Sequence, residues 1–167
     1  MKIIVDIDHC SDITNLMKLG EVEGFYDDVY LVGSEDTNIP AKVLSVAKNS
    51  YLFNVFTFGS QAEINKYIAE VLHTSWSDIL IVSEVADKHI SAIAGMIALY
   101  REFNYHSDNL EVATSGRQAF NLVVDKIKEA ERKAEEEQEQ TEEAANSEAE
   151  EEQTEEAANS EANESAE

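Results

Sequence analysis

The sequence predicts an α/β domain with a Rossmann-like, doubly wound, mostly parallel five-stranded sheet that carries helices on both faces. Five short apolar runs alternate with helical patterns over the first 132 residues. Most runs are apolar on both faces, which is typical of strands covered by helices on both sides. After Lys133 the chain has 15 acidic residues and no basic one. We therefore expect one domain over residues 1–132 and an acidic, disordered tail over residues 133–167.

Each predicted strand is a run of four to seven residues rich in Ile, Val, Leu or Phe. The first strand follows the start of the chain directly, and each later strand follows a predicted helix. Five such β-then-α units in succession indicate parallel strands joined by crossover helices. The predicted strands are Ile3–Asp6, Val29–Val32, Leu52–Phe58, Ile79–Val82 and Leu110–Ala113.

Capping residues and apolar periodicity place the helices between the strands. The first has Ser11 or Asp12 as its N-cap, and Pro40 suits the first helical position of the second. The third follows Ser60 with Glu63 three residues on, a capping-box pattern. The fourth is strongly apolar, and the fifth follows Gly116 with an apolar stripe. The predicted helices are Asp12–Leu19, Ala41–Lys48, Gln61–Leu72, Ile90–Phe103 and Arg117–Arg132.

The tail contains a direct repeat, TEEAANSEA, at residues 141–149 and again at 154–162, a period of 13. It has no apolar residue larger than Ala and cannot bury a face. It is interpreted either as a solvated linker or as a docking tail for a basic partner. The tail carries 15 of the 23 net negative charges, and the first 134 residues carry 12 minus 20, or −8.

The composition excludes several classes of protein. A single cysteine, Cys10, cannot form an intramolecular disulfide, which argues against a disulfide-stapled secreted protein. No basic stretch precedes an apolar run at the start of the chain, so no signal peptide is expected. No apolar run approaches the ~20 residues that would span a bilayer. The sequence therefore predicts a cytoplasmic protein without a membrane partner.

Acidic side chains stand at the ends of four of the predicted strands. Asp6 ends the first strand and Asp8 follows it, Glu35 and Asp36 follow the second, Glu63 follows the third, and Glu84 and Asp87 follow the fourth. The carboxyl ends of parallel strands meet at one edge of a sheet, where ligands bind. Clustered carboxylates suit Mg²⁺ or Mn²⁺, which activate water and stabilise phosphoryl transfer. The alternative is that these residues stabilise loops and helix N-termini.

Three segments resemble the PIN-like domains, which are related to metal-dependent nucleases. They are IIVD at the first strand, FTFGSQAEINKYIAEVL at and after the third, and DILIVSEVADKHISAI at the fourth. The resemblance covers about Met1 to Ile127. Asp6 matches the family's first-strand Asp, Glu63 its acidic helix position, and Ser83 the Ser of its Ser-x-Asp motif. Val85 stands where that motif has Asp, with Glu84 and Asp87 on either side of it.

The resemblance implies a Mg²⁺- or Mn²⁺-dependent ribonuclease or nuclease that acts on RNA or single-stranded nucleic acid. Its catalytic and metal-ligating residues would be Asp6, Asp8, Glu63, Glu84 and Asp87. The alternative is a catalytically inactive PIN-like interaction or inhibitor protein that binds a basic protein through its acidic surface and tail. Val85 favours that alternative, because the loss of one carboxylate ligand would weaken metal binding. The net charge of −8 also favours it, because an acidic domain repels a polyanion.

Other chemistries fit the sequence less well. Asp6 and Asp8 are also similar to the paired aspartates of haloacid-dehalogenase phosphatases, but no later segment supplies their magnesium site. A response-regulator receiver requires an Asp at the end of the third strand and a Lys at the end of the fifth, and this chain has FTFGS and VATSG there. The histidines and one cysteine form no zinc spacing. His89, two residues after Asp87, is expected on the surface, and the alternative is a position near the acidic site. Ser115-Gly116-Arg117 is either a phosphate site at a helix N-terminus or simply a cap and tight turn.

Overall fold

The computed structural model describes residues 1–74, 77–100 and 110–138, without the side chains of residues 96–100. It contains a five-stranded sheet in which every pair of neighbouring strands is parallel. The predicted α/β fold with a parallel sheet is therefore confirmed. The strands are β1 (Lys2–Asp6), β2 (Asp28–Ser34), β3 (Phe53–Phe58), β4 (Ile79–Val82) and β5 (Leu110–Ala113).

Helices connect the strands, with 3₁₀ turns at Ile7–His9 and Met17–Glu21. The first predicted helix is wrong in type over its second half, where the chain forms the second of these 3₁₀ turns. Pro40 lies at an N-cap, one position earlier than predicted. The helices are α1 (Ile13–Leu16), α2 (Ala41–Asn49), α3 (Gln61–Thr74), α4 (Ala86–Tyr100) and α5 (residues 116–138). The predicted end of α4 at Phe103 lies outside the described residues.

The core lies on both faces of the sheet. Ile3, Ile4 and Val5 are fully buried in β1 although consecutive side chains point to opposite faces. On one face, Ile64 and Ile68 of α3 belong to the same apolar cluster as Ile4. Each such side chain stabilises the fold by about 1.5–3 kcal/mol through burial. The double-sided burial explains why the strands are apolar throughout.

The strand order, β3-β2-β1-β4-β5, creates a switch point between β1 and β4. From β1 the chain builds outward through β2 to β3, and it then crosses to the other side of β1 to form β4. Crevices outside the carboxyl ends of strands at such a point are where open α/β sheets bind ligands. Asp6 ends β1 and Ser83 directly follows β4. The topology therefore places these two residues at the crevice.

The chain divides into two compact units, Met1–Val124 and Asp125–Glu167. The first contains the whole sheet. In the second, residues 125–138 are helical, and Arg132 pairs with Glu129 at 2.8 Å. The predicted acidic tail beyond residue 138, including its repeat, lies outside the described residues. No helix within the described ranges is long and apolar enough to cross a membrane.

Candidate functional site

The carboxylate of Asp6 is the centre of a buried polar network at the switch point. Its side chain is fully buried, and its Oδ2 atom accepts hydrogen bonds from His89 Nε2 at 2.7 Å and His9 Nδ1 at 2.7 Å. Ser83 Oγ donates to the same oxygen at 3.2 Å. The other oxygen, Oδ1, accepts from the backbone amide of Asp8 at 3.1 Å. Four donors therefore converge on one carboxylate, three of them on a single oxygen.

His89 reaches this network from the first turns of α4. It is 1% exposed, and its Nδ1 atom lies 2.6 Å from Asn65 Oδ1 of α3. The expectation of a surface His89 is therefore wrong. The reason is where the helix begins: α4 starts at Ala86 and not at Ile90, so His89 lies on the same inward face as Ala86 and Ile93, both of which are buried.

The network holds Asp6 in its ionised form. Burial by itself raises the pKa of a carboxyl group, because a charge is poorly solvated inside the protein. Hydrogen bonds from His89 and His9, together with their charge, outweigh that effect and hold the pKa of Asp6 below its usual value. Since an ionised carboxylate can only accept, the facing nitrogens of His89 and His9 are the donors.

Asp8, the second predicted ligand, holds the loop after β2. Its exposed carboxylate accepts from the backbone amide of Ser34 at 2.8 Å and from the hydroxyl group of Thr37. Ser34 Oγ lies 3.4 Å from the same carboxylate. Asp8 therefore stabilises the exit from β2.

Glu63 and Glu84 also serve as local acceptors. Glu63 Oε2 accepts from the Gly59 amide at 2.8 Å, and the Glu63 amide donates to Ser60 Oγ at 3.4 Å. The predicted capping interaction is present, with Gly59 as the backbone partner of the glutamate. Glu84 Oε1 accepts from Ser11 Oγ at 2.7 Å, which ties the end of β4 to the segment after β1.

Asp87 and Val85 complete the predicted motif region. Asp87 is exposed in the first turn of α4, where its negative charge is favourable. Val85, at the position of the PIN-like motif Asp, contributes its backbone amide, which donates to Ser83 Oγ at 3.1 Å. This donation orients the hydroxyl group of Ser83 toward Asp6.

These contacts bear on whether the edge fits Mg²⁺ or Mn²⁺. Such ions need several oxygen atoms that point at one place with no donor hydrogen between them. Asp6 is instead surrounded by N–H and O–H donors, and Asp8, Glu63 and Glu84 bond to separate donors. Across residues 1–74, 77–100 and 110–138, no group of three or more His, Cys, Asp and Glu side chains is arranged to hold a metal ion. The resident side chains do not fit the ion in this arrangement.

The sequence predicts either a phosphate site or a cap and tight turn at Ser115-Gly116-Arg117. In the structure, an aspartate from another part of the chain binds the backbone amides there. The Asp12 carboxylate accepts from the backbone amides of Gly116 and Arg117, the latter at 3.0 Å. These bonds hold the pKa of Asp12 below its usual value, against the opposing effect of burial. The N-terminus of α5 therefore has an internal cap, and the cap-and-turn reading is the one borne out.

Cys10 and Ser83 are the buried groups that could act as nucleophiles here. Burial, and then the charge of Asp12, raises the pKa of the Cys10 thiol to about 12, so it stays protonated at neutral pH. Ser83 is fully buried, and its hydroxyl group is engaged with Asp6. The same hydroxyl oxygen lies 3.3 Å from His89 Nε2.

Comparisons of this chain with protein-family models, with curated proteins and with solved structures found no match. The PIN-like resemblance therefore stays a prediction from the three sequence segments that carry it.

Proposed function

We propose that this chain is a catalytically inactive PIN-like protein that acts by binding a basic protein partner. The observation that carries the proposal is the engagement of Asp6. Its carboxylate, at the position where the PIN-like pattern has its first-strand acid, accepts from His89, His9, Ser83 and the Asp8 amide.

A divalent ion would have to displace these donors before it could use Asp6. Breaking a buried charged pair by removing one partner costs about 3–5 kcal/mol, because the remaining group is left uncompensated. The carboxylates that would have to assist, Asp8, Glu63 and Glu84, would also lose their present partners. These combined costs disfavour a metal-dependent reaction at this edge.

The charge of the chain supports a basic partner over a nucleic acid. The first 134 residues carry 12 basic and 20 acidic residues, a net charge of −8, and the residues that follow carry a further −15. Such a field repels phosphates and attracts cationic surfaces, and it raises the rate of association with them.

A metal-dependent nuclease that acts on RNA or single-stranded nucleic acid is the second candidate. The observation that favours it is the meeting of Asp6 and Ser83, two of the three matches to the PIN-like pattern, at 3.2 Å in the switch-point crevice. With Mg²⁺ or Mn²⁺, Asp6 would need help from Asp8, Glu63, Glu84 or Asp87.

A metal titration separates the two candidates. A bound ion at about 100 times its Kd adds about 2.7 kcal/mol of stability, which corresponds to a rise in Tm of roughly 10 °C for a domain of this size. We expect no such rise with Mn²⁺ or Mg²⁺, relative to a monovalent salt of equal ionic strength. We also expect no cleavage of labelled single-stranded RNA or DNA above the level without protein.

The proposal would be overturned by cleavage that requires Mn²⁺ or Mg²⁺ and is lost in the variants Asp6→Asn and Asp8→Asn. The matched control is Asp36→Asn, which removes one exposed carboxylate from the loop after β2. Activity that persists in Asp6→Asn would be assigned to a contaminating nuclease.

A further inference from the structure

The outer edge of β3 is open in the described part of the chain. β3 is the last strand in the sheet order and pairs with β2 alone. Its sequence, Phe-Asn-Val-Phe-Thr-Phe, contains no charged residue and no proline. Charged residues and prolines are the means by which proteins normally prevent another strand from adding to a sheet edge. β3 lacks them and is rich in residues that favour strands.

Two hydrogen bonds at the ends of β3 fix which of its backbone groups face outward. The amide of Val29 donates to the Leu52 carbonyl at 2.7 Å, and the amide of Glu35 donates to the Phe58 carbonyl at 2.9 Å. Even-numbered residues of this strand therefore bond to β2. Because bonding direction alternates along a parallel strand, the N–H and C=O groups of Phe53, Val55 and Thr57 face away from β2.

Aromatic side chains lie on the face of the sheet beside this edge. The rings of Tyr30 and Phe56 stack with centroids 6.1 Å apart, and Tyr67 of α3 lies 5.3 Å from Phe56 and 5.2 Å from Phe58. Phe56 remains 36% exposed. The faces of such rings carry negative potential and attract cations, arginine above all.

A cleft of about 330 Å³ adjoins these rings at the carboxyl end of β3. Glu35, Glu63 and Glu70 line it together with one cation, Lys66. Lys66 pairs with Glu70 at 3.8 Å, and Glu63 bonds to the Gly59 amide. The cleft therefore carries an excess of two negative charges beside exposed aromatic surface.

From these features we propose that the outer edge of β3 takes up an extended basic segment of a partner protein as a sixth strand. The segment bonds to the outward groups of Phe53, Val55 and Thr57, and one of its Arg or Lys side chains enters the acidic cleft. This inference rests on the proposed function and names the surface through which the partner binds. Strand addition of this kind takes affinity from main-chain bonds and specificity from alternate side chains.

Charge decides between the occupants that could cover this edge. A second copy of this chain would bring a domain with the same net charge of −8 against this edge, which is unfavourable. The segment after Lys133 would also be repelled, since it contains 15 acidic residues and no basic one. A nucleic acid would oppose its phosphates to these glutamates. A basic peptide in an extended conformation is complementary to the outward backbone groups, to the aromatic rings and to the acidic cleft.

The probe is a fluorescent peptide of about eight residues with alternating arginine and valine, long enough to span β3. Binding to the full chain is followed by fluorescence anisotropy at low and at high salt. Thr57→Pro removes one outward N–H without touching the bonds to β2, and Thr57→Val is its matched control because it keeps the N–H. Glu35→Gln with Glu70→Gln tests the cleft, and Glu131→Gln with Glu135→Gln removes the same charge from exposed positions of α5.

We expect Thr57→Pro to weaken binding about tenfold or more and Thr57→Val to leave it within about twofold. The cleft variant should weaken binding and reduce its dependence on salt, whereas the α5 variant should not. In the wild type, hydrogen exchange at the amides of Phe53, Val55 and Thr57 should slow when the peptide is added. That measurement also covers the case in which Thr57→Pro fails to fold.

The inference is overturned if the peptide binds with unchanged affinity to Thr57→Pro, or without slower exchange at these three amides. It is also overturned if no binding is measurable at low salt, or if the wild type forms a dimer that Thr57→Pro dissociates. None of these outcomes bears on catalysis, so the inference can fail while the proposed function stands. The nuclease assay decides separately whether the protein is catalytically inactive.

Discussion

Replacing Asp6 with Asn tests the buried network most directly, because the two side chains have nearly the same shape and leave no cavity. The amide can turn its oxygen toward His89, His9 and Ser83, but its NH₂ group then faces the Asp8 amide, which is also a donor. Bonds to the two histidines lose their charge assistance. Hydrogen bonds to charged groups contribute about 1.5–3 kcal/mol each, and neutral ones about 1 kcal/mol.

Summing one lost bond and two weakened ones gives a destabilisation of about 3 kcal/mol at neutral pH, within the range for disrupted buried pairs. For a domain of this size the expected fall in Tm is roughly 10 °C. The assay is thermal unfolding followed by circular dichroism, with urea unfolding to obtain the free energy. Asp36→Asn, an exposed loop substitution, should change the free energy by less than about 0.5 kcal/mol.

The same substitution has a predicted pH dependence. Because the pKa of Asp6 is lowered on folding, its stabilising effect is present above the unfolded value of 3.8 and is lost as the pH falls through the lower folded pKa. The stability gap between wild type and Asp6→Asn should therefore narrow below about pH 4. A gap of under about 1 kcal/mol at pH 7, or one that stays constant down to pH 2.5, would refute the account of the network.

Two further predictions concern the segment after β1 and its contact with α5. Gly116→Ala should destabilise the protein by about 1–3 kcal/mol in the same melting assay, because a Cβ there would lie 2.8 Å from the Asp12 carbonyl oxygen; an unchanged Tm would contradict the close approach. Cys10 should alkylate far more slowly in the native protein than in urea, since raising its pKa from 9.0 to about 12 reduces the thiolate about a thousandfold; equal rates by mass spectrometry would show that the thiol is accessible.

The strands were predictable because their signal is local. β4 and β5 begin and end where the sequence analysis placed them, at Ile79–Val82 and Leu110–Ala113, since a buried strand is a short apolar run between polar residues. The first helix was not. Its buried residues are Ile13, Leu16, Met17 and Leu19. The first three have the spacing of an α-helix, and only Leu16 and Leu19 have that of a 3₁₀ turn, so the apolar pattern did not show where the helix type changes.

The site was predictable in its centre but not in its partners. Asp6 ends an apolar strand, so its position at the carboxyl edge followed from topology alone. His89 lies 83 positions away and Asn65 reaches it from another helix, so no local spacing connects the three. The signal that was missed is helical: with the helix begun at Ala86, His89 and Ile93 lie on one face, and a lone polar residue on an apolar face requires a buried partner.

Carboxylates at the edge of a sheet can bind a ligand or stabilise the fold, depending on whether their hydrogen-bond donors belong to the ligand or to the chain. At this switch point the donors belong to the chain itself: His9 and Ser83 follow β1 and β4, and His89 enters from α4. Asp6 is ionised, and its two oxygens accept from donors of the chain itself. At the outer edge of β3, by contrast, outward backbone donors and acceptors, the exposed ring of Phe56 and a cleft with an excess of two negative charges occur together. A ligand for this protein should therefore be a strand that brings both hydrogen bonds and positive charge.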